Sequence, residues 1–358
     1  MKKTGSYTFI TQLNALRFFA AVAIVVYHYG RWSFPFSLAA LQPYVLNANT
    51  GVTLFFVLSG FIMVHVYGKA LSRIDTRGIV AFYRARVARI VPLYVMALLL
   101  TAWSLYVVHE AMTVRTFLLQ IFLIQAWVPN ASLLINFTGW SLSVEMFFYL
   151  LFPFAFAAFA RLRPSGQLLA TSALWIVSNA ITAYFAISYF PDAARSNVLI
   201  KFLPLLHLNS FLVGMYAGAW YARSKKQIRP ALILLAIAVL LVFPLIVPEG
   251  LRPLVHNGLL APSFAVIIAA LAKATHRLTR LFAIRPLVIG GDISYGIYIL
   301  QVPIYNWVYD AYRHLGVFDV LREEGRFFIY LALLCVASWI SLHTVERWAK
   351  RVIRGSKS

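Results

Sequence analysis

Long runs of apolar residues, separated by short polar clusters, recur along the whole chain. A run of about 20 apolar residues can cross the ~30 Å hydrocarbon layer of a membrane as a helix. A helix also satisfies its own backbone polar groups in a layer that contains no water. The pattern predicts an all-α polytopic membrane protein with about ten transmembrane helices, over residues 13–30, 50–68, 90–108, 140–160, 168–187, 203–222, 231–247, 257–273, 288–309 and 327–345. No small-residue cleavage site follows the first run, so we expect an uncleaved first helix rather than a signal peptide.

The apolar segment Phe117–Trp127 is predicted to stay on one side of the membrane. With about 11 residues between Arg115 and Pro129, it is too short to cross. With ten spans, 23 of the 32 lysine and arginine residues fall in segments on one side, and eight fall in loops on the other. Lysine and arginine accumulate on the cytoplasmic side. Both termini are therefore predicted to be cytoplasmic, whereas a crossing at this segment would move four later basic clusters outside.

The composition agrees with a protein that is solvated by lipid. Hydrophobic residues make up 61% of the chain and charged residues 12%, and the mean hydropathy is +0.78. Soluble domains carry roughly 25% charged residues, so an ordinary cytoplasmic enzyme, a secreted disulfide scaffold and a disordered tail are excluded. No long polar region interrupts the chain, and residues 1–358 are predicted to form a single membrane domain. The single cysteine, Cys335, excludes a disulfide and a cysteine metal cluster.

The net charge of +21 lies almost entirely on the predicted cytoplasmic segments. This placement favours topology over nucleic-acid binding, and it leaves two interpretations. The charge can orient the protein and contact anionic membrane lipids, or it can receive a phosphorylated cytoplasmic ligand. Arg86 and Arg89 are i, i+3 neighbours just inside the membrane with Arg84 beside them, a spacing that can clamp phosphate groups. Simple anchoring of the helix by these arginines is the alternative.

Arg17 and His28 are the most informative ionisable residues inside a predicted span. A charge in the hydrocarbon layer is costly, so each such residue is a candidate for function. Eleven residues separate the two, which places both on one face of a helix, about 16 Å apart along its axis. This stripe carries a cation near the inner side and a candidate base near the outer side. The alternative is an arginine that reaches the interface and a histidine that is satisfied in the core.

Two further spans carry polar side chains. Glu145 lies about one and a half turns from the predicted outer end of its helix, where a carboxylate must be protonated or paired. Tyr298 and Gln301 share a stripe of the ninth helix, and Tyr295 lies on an adjoining stripe. These side chains can line a cavity, or they can join helices through hydrogen bonds. No nucleotide-binding glycine loop, serine elbow or metal-spaced His/Cys set is present, so no metal site is predicted.

Several blocks of the sequence resemble the membrane acyltransferase-3 family, which includes the exopolysaccharide and O-antigen O-acetyltransferases. The stretch Leu16–His28 resembles the opening Arg-x10-His motif of that family. Four more blocks are similar and occur in the same order, over Gly51–Phe61, Arg84–Tyr94, Trp140–Tyr149 and Gly291–Tyr298. The resemblance implies ten helices, a cytoplasmic acyl-CoA donor and a carbohydrate acceptor on the outer side. It also implies location in the bacterial cytoplasmic (inner) membrane.

Two positions depart from the pattern of that family. Thr53 stands where members usually carry aspartate, and Gln301 stands where a histidine is common. The first change removes the carboxylate expected to orient His28. Either Glu145 takes over that role, and it is placed among the catalytic residues with His28, or the rate of the reaction is low.

The resemblance and the charges together predict a path for the acyl donor. Arg84, Arg86 and Arg89 are expected to bind the phosphates of acyl-CoA, with acetyl-CoA the expected donor co-substrate and no permanently bound cofactor. Arg17 is expected to position the pantetheine arm. His28 then takes a proton from a sugar hydroxyl, and the transfer is either direct or passes through an acylated protein.

The acceptor is expected to contact Tyr295, Tyr298 and Gln301 on the outer side. Membrane lipids and proteins of polysaccharide assembly are the other expected partners, and no nucleic acid is expected. Two functions of other classes remain alternatives. The first is a transporter or flippase of a saccharide or lipid-linked saccharide, and the second is an inert structural partner of an assembly complex.

Overall fold

A computed structural model describes residues 10–71, 75–107, 112–188, 200–274, 277–316 and 322–354. The described residues form helices and turns, with no strand among them. The main helices are α1 (Gln12–Val25), α2 (Gly51–Leu71), α3 (Thr76–Val107), α4 (Trp140–Arg161), α5 (Pro164–Ser188), α6 (Pro204–Arg223), α7 (Pro230–Ile246), α8 (Ala261–Lys273), α9 (Arg285–His314) and α10 (Glu323–Ser341). Short π-helical segments continue α1 over Val26–Gly30 and α10 over Leu342–Glu346, and a last helix covers Arg347–Arg354.

The helices confirm an all-α polytopic membrane protein. Eight helical segments of the described residues are long and apolar enough to cross a membrane. A ninth is present if Glu249–His256 and Ala261–Lys273, which meet at a bend of 42°, form one span. The apolar helix Pro230–Ile246 has 17 residues and occupies the predicted seventh span. Lys2, Lys3 and the carboxyl terminus lie outside the described residues, so the side on which the termini lie stays a prediction.

Helix α3 extends about four turns before the predicted third span. The sequence predicts residues 90–108, whereas α3 begins at Thr76 and continues to Val107. The basic segment before residue 90 is therefore part of the same helix as the apolar run. Propensity explains the extension, because alanine and arginine are good helix formers. The segment Phe117–Trp127 does not form a span. It holds the end of the short helix Val114–Ile121 and the 3₁₀ turn Gln125–Trp127. Leu123, between the two, has a positive φ of 56°.

The direction of the helices defines two ends of the bundle. Asn14 of α1 donates to Asp292 of α9 at 3.0 Å, and His28 at the far end of α1 contacts Gln301 further along α9. The two helices therefore run parallel. We call the end where α1 begins, near Arg17, the arginine end, and the end where it finishes, near His28, the histidine end.

Glycines bring α2 and α6 into backbone contact. A Cβ atom on Gly214 would lie 2.0 Å from the carbonyl oxygen of Val57, and one on Gly60 would lie 2.1 Å from that of Phe211. Gly214 and Gly218 form the small-xxx-small spacing that lets membrane helices approach closely. This contact fixes the position of α2, and α2 forms one wall of the cavity described below.

We expect Gly214→Ala to destabilise the fold. A methyl group has no space there and must push two backbones apart, which we expect to cost about 3 kcal/mol. The measurement is the thermal unfolding midpoint and the folded yield of the detergent-purified protein. Gly166→Ala is the matched control, because a Cβ at Gly166 meets its nearest neighbour, Leu162, at 3.5 Å. Equal stability of the two variants would show that α2 and α6 are not held by this contact.

Candidate active site

A cavity of about 140 Å³ lies where α1, α2, α3, α4 and α9 meet, and we call it the arginine cavity. Its charged lining consists of Arg17, Arg86, Arg89 and Glu145. A second cavity of about 360 Å³, the vestibule, lies beside it toward the arginine end. The three arginines line both cavities. They therefore mark the place where the vestibule meets the arginine cavity.

Arg17 presents to this place a guanidinium whose hydrogen-bond donors have no partner among the described residues. The side chain is half-buried, and within the described residues it forms no hydrogen bond and no ion pair. A guanidinium carries five N–H donors and cannot be deprotonated in a protein. A cation at this depth is stable only when its donors and its charge find partners. The geometry thus fits a polar or anionic ligand at Arg17.

Arg86 and Arg89 are held in place by protein groups. Arg86 Nη2 donates to Tyr67 Oη at 2.9 Å, and its guanidinium lies 5.6 Å from the centroid of the Tyr149 ring. Its Nε is buried and has no hydrogen-bond partner among the described residues. Arg89 Nη1 forms an ion pair with Glu346 Oε2 at 2.8 Å. Fixed guanidinium groups bind phosphate with less loss of side-chain entropy than mobile ones.

Arg84, the third arginine of the predicted set, does not join this cluster in the structure. It is exposed, it lines neither cavity, and its Nε donates to the backbone oxygen of Ile353 at 3.0 Å. Helical geometry gives the reason, because residues i and i+2 point about 200° apart around a helix. Arg86 and Arg89, at i and i+3, share the face that Arg84 lacks. Arg17 completes the cluster instead.

Glu145 lies in the arginine cavity. Its carboxylate accepts a hydrogen bond from Ser59 Oγ at 3.1 Å and another from the hydroxyl of Tyr149. The predicted contact between Glu145 and His28 is absent from the described structure, since His28 is held by another residue. The carboxylate therefore partly balances the charge of the arginines, and a different side chain contacts His28.

Gln301 is the residue that orients His28. His28 Nδ1 and Gln301 Oε1 are 2.7 Å apart, and Gln301 is fully buried. The amide nitrogen of Gln301 donates to the backbone oxygen of Tyr298 at 2.6 Å. That bond leaves the amide oxygen to face the histidine. Because this oxygen can only accept, Nδ1 must carry the proton, and Nε2 of the neutral ring keeps a lone pair.

The local backbone and a nearby ring complete the position of His28. It lies in the π-helical segment Val26–Gly30, a distortion of the kind often found at functional sites. The ring of Phe137 stands nearly perpendicular to the imidazole, with 4.7 Å between the ring centroids. The structure thus presents a half-buried imidazole with a fixed tautomer, which can take up a proton at Nε2.

The two tyrosines predicted to contact the acceptor, and Thr53, are held by groups other than His28. Tyr295 donates to the backbone oxygen of Ile90 at 2.7 Å, and the hydroxyl of Tyr298 lies 2.7 Å from Ser141 Oγ. Both tyrosines line the arginine cavity, on the side where the donor is expected rather than the acceptor. Thr53, fully buried in α2, donates to the backbone oxygen of His256 at 3.2 Å. Its replacement of an aspartate therefore does not reach His28.

Comparison with known proteins now decides the family. The model of the acyltransferase-3 family, described as an acyltransferase domain, matches residues 10–345. The chain belongs to the acyltransferase-3 family. Acyltransferase MdmB of Streptomyces mycarofaciens is 27% identical over 286 residues, which cover 77% of this chain and 66% of that protein.

Two O-acetyltransferases are also similar to this acyltransferase-3 chain. O-acetyltransferase OatA of Staphylococcus aureus is 25% identical over 87% of the chain and 53% of its own length. Peptidoglycan O-acetyltransferase OatA of Listeria monocytogenes is 24% identical over 85% and 51%. The chain thus spans between about half and two thirds of the length of the curated relatives it matches. No solved structure matches it.

Sequence reasoning missed several partners in this acyltransferase-3 site. Ser59 and Tyr149 hold Glu145, Tyr67 holds Arg86, and Glu346 holds Arg89. The partner of Arg89 could have been sought in the sequence. Glu346 is one of only two acidic residues on the predicted cytoplasmic side, and a carboxylate that is buried there needs a basic partner. The others come from neighbouring helices whose contacts no spacing in one helix reveals.

We expect Gln301→Leu to lower turnover by about 10–100-fold, since the loss leaves a buried donor on His28 without an acceptor. Binding of the acyl donor should not change, because Gln301 lines neither the arginine cavity nor the vestibule. Steady-state transfer assays combined with donor binding measure the two effects separately. Gln227→Leu is the matched control, since Gln227 is exposed and donates to Lys273 at the other end of the bundle. Wild-type turnover in Gln301→Leu would contradict the orienting role.

Proposed function

We propose that this membrane acyltransferase moves an acyl group, acetyl in the first instance, from cytoplasmic acyl-CoA to a hydroxyl of a cell-surface or exopolysaccharide sugar. The observation that carries the proposal is the arrangement of arginines and a histidine on α1 and its neighbours. Arg17 of α1 lies with Arg86 and Arg89 of α3 at the arginine cavity, and His28, with its fixed tautomer, lies about 16 Å from Arg17 along α1. The family and its O-acetyltransferase relatives support the same reaction class.

The arginine end suits the donor. The phosphates of acyl-CoA carry several negative charges, and guanidinium groups bind phosphate oxygens through pairs of charge-assisted hydrogen bonds. The vestibule, which also includes Lys350 and His65, is the larger of the two joined cavities and receives the nucleotide part. The arginine cavity extends along α2 from Ile62 to Val52, a distance of about 15 Å. The extended pantetheine arm occupies that length.

The histidine end suits the acceptor chemistry. Nε2 of His28 takes the proton of a sugar hydroxyl while the hydroxyl oxygen attacks the thioester carbonyl. The carbon–sulfur bond then breaks, and the proton passes from Nε2 to the leaving thiolate of CoA. Direct attack and a two-step route through an acylated protein both use the same base. Arg17 is too far from Nε2 to contact the reacting carbonyl and serves the donor instead.

The test uses inverted membrane vesicles that contain the full chain, so that the cytoplasmic side faces the medium. Labelled acetyl-CoA is added outside, and the release of free CoA and the appearance of label in glycans inside are followed. We expect both, at rates that depend on the protein. Transport of a saccharide without release of CoA would favour the flippase instead. Tolerance of alanine at both Arg17 and His28 would favour a structural role.

A further inference from the structure

A third cavity, of about 290 Å³, lies at the histidine end between α1, α9 and α10. We call it the tyrosine cavity, because five tyrosines line it. These are Tyr29, Tyr305, Tyr309, Tyr312 and Tyr330. Among the described residues, none lines both this cavity and the arginine cavity. The tyrosine cavity is therefore a separate compartment, on the His28 side of the bundle.

The tyrosine rings form platforms set at different angles. The rings of Tyr29 and Tyr305 stack with centroids 4.1 Å apart, and Tyr330 stands perpendicular to Tyr305 at 5.3 Å. The hydroxyls of Tyr29 and Tyr305 make no hydrogen bond within the described residues. A tyrosine ring binds C–H groups on its face and hydrogen-bonds through its hydroxyl. Such walls fit a ring molecule that has apolar faces and hydroxyls at its edge.

Two groups of opposite charge line the same cavity. Glu323 is exposed in the first turn of α10, and Arg326 is half-buried one turn later. The carboxylate only accepts hydrogen bonds, and the guanidinium only donates them. A hydroxyl both donates and accepts, so a neutral polyol can hydrogen-bond to the carboxylate and to the guanidinium. The two charges offset each other, so the lining has no net charge that favours an anion or a cation.

The cavity wall is joined to the histidine in two ways. Tyr29 follows His28 in the chain, and the two ring centroids are 6.0 Å apart. Tyr330 donates from its hydroxyl to the backbone oxygen of Gln301 at 3.0 Å, and the side chain of Gln301 holds His28. A molecule seated against Tyr29 and Tyr330 therefore lies one aromatic ring away from the base.

We infer that the tyrosine cavity binds a neutral sugar ring of the acceptor, with one hydroxyl directed past Tyr29 toward His28. The inference rests on the proposed function for the identity of the reaction, but sugar binding itself does not require transfer. It replaces Tyr295, Tyr298 and Gln301 as the acceptor-contacting set. Tyr29 and Tyr305 supply the stacking surface, and Glu323 and Arg326 supply the hydrogen bonds.

The test measures sugar binding directly by saturation-transfer NMR on the purified full chain in lipid nanodiscs, free of sugar-headed detergent. The probes are methyl β-glucopyranoside, methyl β-galactopyranoside and N-acetylglucosamine, with cyclohexanol as the apolar ring of similar size. We expect at least one sugar to receive saturation and cyclohexanol to receive less. Tyr305→Ala should reduce the sugar signal by about tenfold, as should Glu323→Gln, whose exposed position leaves the fold intact.

Tyr106→Ala is the matched control, because Tyr106 is 72% exposed and lies outside the tyrosine cavity. Absence of binding by all three sugars would overturn the inference, as would an unchanged signal in both cavity variants. His28→Ala should bind the sugar as the wild type does. Sugar binding without any transfer from acetyl-CoA would defeat the proposed function alone. Transfer with an unchanged acceptor KM in Tyr305→Ala and Glu323→Gln would defeat this inference alone.

Discussion

His28→Ala should reduce acyl transfer by about 10²–10⁴-fold, the usual contribution of a general base. The loss is expected in turnover, while the affinity for acyl-CoA stays close to that of the wild type. The reason is geometric, because His28 lines neither the arginine cavity nor the vestibule. Single-turnover transfer from labelled acetyl-CoA and equilibrium binding of a non-hydrolysable donor analogue measure the two quantities.

His314→Ala provides the comparison for the histidine substitution. His314 lies exposed at the end of α9 and is expected to leave transfer unchanged. Turnover of His28→Ala within about tenfold of the wild type would exclude a general base at this position. Loss of donor binding together with turnover would point instead to a collapsed bundle, which the thermal unfolding midpoint of the variant reveals.

Arg17→Ala should weaken donor binding by about 10–100-fold, because charge-assisted hydrogen bonds contribute about 1.5–3 kcal/mol. Arg17→Lys should recover only part of the affinity, since an ammonium group lacks the planar pairs of donors of a guanidinium. Arg84→Ala is the matched control. This variant also removes one arginine that was predicted to bind the donor, but from outside both cavities, and it should bind the donor almost normally.

Equal effects of Arg17→Ala and Arg84→Ala would contradict this division of roles. In that case the basic charge would act only through the general potential of the membrane surface, and raised ionic strength would weaken binding in both variants alike. We expect a different pattern. Salt should weaken the small contribution of exposed Arg84, while the larger loss in Arg17→Ala should persist.

Much of the fold follows from the sequence because the bilayer imposes a simple rule. Length and hydropathy alone placed the helices, and charge parity kept Phe117–Trp127 from being taken as a span. The start of α3 at Thr76 lies before the predicted span, since a hydropathy pattern reports where a helix is apolar and not where its hydrogen bonds begin. The i, i+2 spacing between Arg84 and Arg86 already indicates that the two side chains lie on opposite faces of the helix.

The pairing inside the site was much harder to predict. His28 and Arg17 were found because both lie on one helix, where the period of 3.6 residues relates them. Gln301 lies 273 residues from His28, and nothing within α1 or α9 indicates that the two side chains meet. Glu145 was predicted to contact His28 because it carries a charge, whereas the neutral amide of Gln301 makes that contact. The π-helical segment Val26–Gly30 likewise depends on tertiary packing.

The layer that separates the arginine cavity from the tyrosine cavity has a further consequence for the cell. Gln301 and Phe137 contact His28, and neither of them lines the arginine cavity or the tyrosine cavity. A membrane enzyme that takes its substrates from opposite sides needs an opening at each end, and joined openings would let ions run down the membrane potential. If the proposed function holds, these side chains insulate as well as orient. A substitution that widened this layer would then let ions cross the membrane even where acyl transfer is unchanged.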